Sequence, residues 1–267
     1  GRAKIQIDND QGINPLLDKI ITGWAFAEEG NIEDAKLIFD EIGNGSSLAQ
    51  FSQMQKASML AAFGQYESAL NTIEILEESF KILSIDARVM KVQLLLKLDK
   101  QEKAAEYFSE NFVDAISSDA SKLKLQIGNH PNALSLGADL SLEAGIAYAF
   151  YAIGDILKDE ADPNTALLYV RLAQYLHKNS EKAILLAADL LEQMAQYDLA
   201  EAEYAKISPS SSYFLTSELG RVGVLRDGGR IEAALEVLYF LSREFADIGI
   251  VHNLSLIHIS EPTRRRG

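Results

Sequence analysis

Gly30-Asn-Ile-Glu-Asp-Ala35-Lys-Leu-Ile-Phe39, Gly64-Gln-Tyr-Glu-Ser-Ala69-Leu-Asn-Thr-Ile73 and Gly229-Arg-Ile-Glu-Ala-Ala234-Leu-Glu-Val-Leu238 are three versions of one pattern. Each has a glycine, a large residue two positions later, an alanine three after that, and an apolar residue four further on. Glycine supplies the positive φ that ends one helix, the large residue covers the turn, and alanine lets the next helix cross closely over the first. A helix-turn-helix hairpin is thus written locally.

Outward from these stretches the alanine recurs as Ala35, Ala69, Ala104, Ala166, Ala200 and Ala234, at spacings of 34, 35, 62, 34 and 34. Twelve positions before each alanine stand Gly23, Ala57, Val92, Gly154, Ala188 and Val222, mostly the small residues that a close crossing requires on the first helix. Three residues on come Phe26, Leu60, Leu95, Leu157, Leu191 and Leu225. Phe39, Ile73, Phe108, Val170, Tyr204 and Leu238 follow each alanine by four, so they share its face and are placed to pack on the next hairpin. The spacing predicts an all-α chain, a right-handed superhelical solenoid of antiparallel helix hairpins.

By its 34-residue period and its small, large, alanine and aromatic positions the chain resembles the tetratricopeptide repeat (TPR) family, although the proline usual after the second helix is mostly missing. The later half, from Gly145-Ile-Ala-Tyr-Ala-Phe through Ala166-Leu-Leu-Tyr-Val-Arg-Leu-Ala and Leu190-Leu-Glu-Gln-Met-Ala-Gln-Tyr, resembles long alphaproteobacterial TPR proteins without an assigned activity. That likeness implies a bacterial protein and leaves the compartment open between cytoplasm and periplasm. Absence of cysteine fits either.

Repeats are expected near 16–49, 50–84, 85–118, 147–180, 181–214 and 215–248, with a degenerate one at 119–146. Helix is expected over 121–127, a break at Asn129 to Pro131, and a kink in that stretch. Leu254-Ser-Leu-Ile-His-Ile-Ser-Glu-Pro-Thr-Arg264 resembles translated sequencing adapter, so 254–267 is read as an artefactual tail and 1–253 as a solenoid fragment cut at both ends. Without the tail the formal charge goes from −14 to −16, because three arginines and Glu261 leave with it.

Such acidity argues against nucleic acid, whose binding draws on clustered Lys and Arg. The densest apolar stretch, 145–157, is 13 residues long and contains Asp155, too short and too polar to span a bilayer. His130, His177 and His252 have no metal-ligand spacing. Asp8-Asn-Asp10-Gln-Gly12 misplaces the glycine of a calcium loop and has Lys19 where that loop needs Glu. Asn44-Gly-Ser46 is read as a turn. No catalytic constellation, metal site or cofactor motif is found.

The resemblance implies that first helices line a concave surface, with positions one and four or five away from each buried small residue turned inward. These are Trp24 near Gly23, then Tyr148, Tyr151, Asp155, Lys158 and Asp159 around Gly154, and Leu185, Asp189, Glu192 and Gln193 around Ala188. Asp155, Asp159, Asp189 and Glu192 beside two tyrosines suit a protein or peptide segment with basic residues and an apolar anchor. Solvated carboxylates and packed aromatics are the competing reading. The lysine position of carboxylate-clamp TPR domains holds Ile20, Met54, Val89, Tyr151, Leu185 and Leu219, which argues against that mode. The function expected is an interaction scaffold. The alternative is the non-catalytic arm of a larger enzyme or envelope-assembly protein, and self-association through exposed end repeats is a further expectation.

Overall fold

The computed structural model describes residues 15–43, 48–80, 82–112, 124, 127 and 141–245. Among them every regular element is a helix: α1 Pro15–Glu28, α2 Ile32–Gly43, α3 Ala49–Ala62, α4 Tyr66–Ser79, α5 Ile85–Lys97, α6 Gln101–Asn111, α7 Leu142–Leu157, α8 Pro163–Leu176, α9 Glu181–Gln193, α10 Tyr197–Tyr204, α11 Phe214–Asp227 and α12 Ile231–Glu244. The all-α architecture of stacked hairpins expected from the spacing is present. Most of the degenerate repeat at 119–146, the Asn44-Gly-Ser46 and Asp8 to Gly12 turns and the adapter-like tail lie outside the described residues.

Two compact units divide the chain, one of residues 1–152 and 175–177, the other of residues 153–174 and 178–267. In the first, hairpins α1/α2, α3/α4 and α5/α6 stack in order, with α2 on α3 and α4 on α5. Ser52 of α3, fully buried, donates its hydroxyl proton to the carbonyl oxygen of Phe39 and so ties the second hairpin to the first. In the second unit α9/α10 and α11/α12 stack through α10 on α11. There Tyr204 and Val224 close a cluster over Ala188, Leu191 and Ala200.

All six alanines of the series are fully buried. The reason is distance: a Cβ added at Gly23 would stand 2.8 Å from Phe39 Cζ, and one at Gly154 would stand 2.7 Å from Val170 Cγ2 and 3.2 Å from the Ala166 carbonyl oxygen. Crossings this close exclude larger side chains, because overfilling a packed core costs about 1–3 kcal/mol. Of the apolar side chains following each alanine by four, Phe39, Ile73, Val170 and Leu238 are fully buried; Phe39 and Val170 lie against Gly23 and Gly154 of their own hairpins, and Tyr204 against Gly220 of the next.

Gly30, Gly64 and Gly229 have φ of 86°, 74° and 80°. At each, the glycine N–H bonds the carbonyl three residues back, and the next N–H bonds the carbonyl five back: Asn31 to Phe26 at 2.8 Å, Gln65 to Leu60 at 2.8 Å, Arg230 to Leu225 at 2.8 Å. These are Schellman closures. Two further hairpins close identically without glycine. Asp99 has φ 55° with Lys100 N to Leu95 O at 2.9 Å, and Ala195 has φ 54° with Gln196 N to Leu191 O at 2.8 Å. The α7/α8 turn differs: Ala161 N bonds Leu157 O at 2.9 Å, and Pro163 opens α8 behind Asp162. Proline suits that first position because its missing N–H has no helical acceptor there.

Candidate functional site

The sequence-derived site residues fall into two groups. Asp155, Lys158, Asp159, Leu185, Asp189, Glu192 and Gln193 belong to the second unit; Trp24, Tyr148 and Tyr151 belong to the first.

In the second unit the positions that follow each buried small residue carry charge on three helices. Lys158 Nζ donates to Asp155 Oδ1 at 2.9 Å, both side chains being partly exposed. That bond holds the Lys158 ammonium above the usual lysine range against its partial desolvation, and the charges of Asp155, Asp159 and Asp189 act in the same direction. Asp159 is exposed at the end of the helix. Asp189 is exposed on α9 and accepts from Gln193 Nε2 at 3.2 Å.

Glu192, one turn on, is half-buried; desolvation pushes its carboxyl above the usual glutamate range, and the charges of Asp189 and Asp227 push further. The Tyr204 hydroxyl, which donates to Glu192 Oε2 at 3.4 Å, and Arg226 oppose that shift without cancelling it. Leu185 is half-buried and packs on the Ala188 and Leu191 cluster. Asp189 and Glu192 thus share a field with Lys158 on one side and with Asp227 and Arg226 on the other.

Arg226 and Asp227 were not among the sequence candidates. The signal was available, since applying the same four- and five-residue offsets to Val222 gives these two positions. On α11 the position after Val222 is Gly223, which lies beside Glu192: an added Cβ would be in ordinary contact with Glu192 Oε1, at 3.4 Å.

Glu203 on α10 was also missed. Its side chain is 6% exposed and accepts from Arg171 Nη1, Gln174 Nε2 at 3.0 Å and Lys206 Nζ at 2.7 Å. Burial alone would raise its carboxyl, but the bonds from Lys206, Arg171 and Gln174 outweigh burial and hold it below the usual range. With two of its donors on α8, it fixes the second helix of one hairpin against that of the next. Nothing in the repeat pattern marks position 203, because its α8 partners, Arg171 and Gln174, lie 32 and 29 residues away.

The first unit treats its candidates differently. Trp24 is 1% exposed: its indole Nε1 donates to Gln55 Oε1 at 3.0 Å, and Gly145 of α7 lies against the ring so closely that a Cβ there would be 2.2 Å from Cζ2. Tyr148 is half-buried and donates its hydroxyl proton to Asp86 Oδ2 at 3.1 Å. Tyr148 and Tyr151 face each other with ring centroids 6.1 Å apart. Ile20 and Met54, at two of the clamp-lysine positions, are buried apolar side chains.

Among the described residues no group of three or more His, Asp or Glu side chains could hold a metal ion. No described helix is long and apolar enough to cross a membrane. On another surface of the second unit, Phe214, Glu218, Arg221, Glu236, Val237 and Phe240 bound an open hollow of about 370 Å³.

No protein-family model matches the chain, and no curated protein matches it by sequence. Among solved structures it is similar to a thermophilic TPR protein, TTC0263, of Thermus thermophilus, at 15% identity and a TM-score of 0.36, covering 79% of this chain and 99% of that one. It is also similar to the TPR domain of P58(IPK), at 17% identity and a TM-score of 0.31, covering 87% of this chain and 74% of that one. The repeat architecture itself rests on the hairpins described above.

Proposed function

We propose that this chain of tetratricopeptide-type hairpins is a protein-interaction scaffold, and that the face formed by Asp155, Asp159, Asp189 and Glu192 takes a partner segment bearing Lys or Arg. One observation carries the reading. Asp155, Asp159, Asp189, Glu192 and Asp227 outnumber Lys158 and Arg226, the cations named beside them, and Glu192 is raised above its normal range first by desolvation and then by the charges of Asp189 and Asp227. A cationic side chain placed among these groups would relieve that repulsion and gain hydrogen bonds to carboxylates, which are stronger than neutral ones.

Leu185 would add apolar contact for such a segment, and Gln193 a polar one. Chain acidity favours a basic partner on kinetic grounds too, since complementary fields raise association rates more than they deepen affinity.

The test compares the chain with an Asp155→Lys, Asp189→Lys double variant in affinity capture from the source cell. A protein captured by the first, lost with the second and released by moderate salt is the expected result. Equal capture by both chains would remove the acidic face from the proposal, and capture of nothing above background by either would remove the scaffold.

A further inference from the structure

The second helices of successive hairpins meet along a seam, and two of its steps are closed by the same pair of positions. Tyr107, three residues after Ala104, donates its hydroxyl proton to Glu77 Oε1 at 2.9 Å, and Glu77 stands eight residues after Ala69. Glu203, three after Ala200, accepts from Gln174 Nε2 at 3.0 Å, and Gln174 stands eight after Ala166. The equivalent pair for α10 and α12 is Ser208 and Val237. No such bond joins it: the valine side chain has no polar atom, α10 ends at Tyr204, and the Ser208 hydroxyl pairs with that of Ser210 at 2.9 Å.

The hollow of about 370 Å³ opens beside this unclosed step, with Val237 in its wall. Phe214 and Phe240 flank it edge to face, ring centroids 6.5 Å apart, and Glu218, Arg221 and Glu236 complete its lining. Its exposure does not come from α12 being the last described helix. Ile75 on α4 and Lys206, just past α10, hold the register position of Phe240, six after the alanine; each is followed by a further hairpin, and both are still half-exposed, as Phe240 is.

Charge selects the occupant. Arg221 is already engaged, its Nη1 donating to Glu218 Oε2 at 3.1 Å and its Nε to Glu201 Oε1 at 3.4 Å, whereas exposed Glu236 has no cation paired with it among the described residues. Two aromatic rings and a valine favour an apolar side chain, and the free carboxylate favours a cation. Glu236 and Phe240 are one helical turn apart, about 5–6 Å between Cβ atoms. In an extended segment, side chains two residues apart share a face at a similar spacing, about 6.4–6.8 Å.

We propose that this hollow docks an extended partner segment carrying a large apolar residue and, two positions along, Lys or Arg. The apolar side chain fills the space between Phe214, Val237 and Phe240, and the cation pairs with Glu236. This surface goes beyond the acidic face and shares no residue with it.

The probe is the peptide N-acetyl-Phe-Ser-Lys amide, titrated into the isotopically labelled chain while the Val237 methyl signals are followed by NMR. Saturable shifts are expected, at concentrations about tenfold lower than for the peptide with Ala in place of Phe. They are also expected at concentrations about threefold to tenfold lower than for the peptide with Glu in place of Lys. Glu236→Gln should bring the Lys and Glu peptides to within about twofold of each other. Phe240→Ala should abolish saturation with helical circular dichroism unchanged. The double variant Asp155→Lys, Asp189→Lys leaves these titrations as they were, so this surface and the acidic face fail separately. The proposal is overturned if Val237 shows no saturable shift, if Glu236→Gln keeps the full preference for lysine, or if the double variant removes binding. It is overturned too if light scattering shows a dimer that Phe240→Ala dissolves, for then a second copy fills the hollow.

Discussion

Replacing Ala195 with glycine should stabilise the protein, and replacing Gly30 with alanine should destabilise it by a similar amount. Both residues sit at the same place in a Schellman closure, at φ 54° and 86°, and both are exposed. Left-handed backbone costs a residue with a Cβ roughly 1–2 kcal/mol. Glycine gives back part of that advantage, about 0.5–1 kcal/mol, through the larger freedom it loses on folding. The difference leaves ~0.5–1 kcal/mol in favour of glycine at position 195. At Gly30 nothing lies within 4 Å of an added Cβ, so no packing gain offsets the backbone strain and the same figure applies with opposite sign. Asp99, at φ 55°, should gain less, because aspartate tolerates this conformation better than alanine. Urea unfolding followed by circular dichroism reads these changes as midpoint shifts of about 0.2–0.4 M at unchanged slope. A lower midpoint for Ala195→Gly, or an unmoved one for Gly30→Ala, would refute the strain argument.

Three further perturbations have defined outcomes. Glu192→Gln should raise stability at neutral pH: a carboxyl held above its unfolded range costs stability as pH rises through that window, so the gain should vanish in acid, as pH-dependent melts would detect. Glu203→Gln should act oppositely, since a carboxyl held below its unfolded range contributes stability above that range and loses it as pH falls; with Arg171 and Lys206 partly exposed, the neutral-pH loss should be about 1–2 kcal/mol, and an equal loss at low pH would count against the ion-pair account. Gly154→Ala should cost about 1–3 kcal/mol through overlap with Val170, and adding Val170→Ala should recover part of it; a simple sum of the two single losses in a double-mutant cycle would mean that the crossing is not the cause.

The crossing residues were legible because the same contact recurs within each hairpin, so Ala35 and Gly23 announce each other across twelve residues. Turns were legible where glycine marks the left-handed residue, as at Gly64. They were not at Asp99 and Ala195, where side-chain chemistry gives no sign of the backbone conformation and only the surrounding hairpin imposes it. The acidic positions were read from a local offset, and the same offset extended one hairpin further reaches Asp227. Trp24 is the instructive case. Its place on the first helix was read correctly, but its cover is Gly145, 121 residues later, and no periodic pattern encodes which helix comes to rest on which.

Among the described residues, each Schellman turn is closed by backbone groups of its own hairpin, and the Gly23 and Gly154 crossings are likewise made within one hairpin. Change in such a chain therefore has a natural quantum. Removing 34 residues between equivalent points, such as from after Ala195 to Gly229, joins two backbones that already share one conformation, whereas removing one residue turns every later position of that helix by about 100° and carries the alanine off its crossing. Such a gene can gain or lose whole hairpins, and with them reach along a partner, while its helices resist insertions of a single codon.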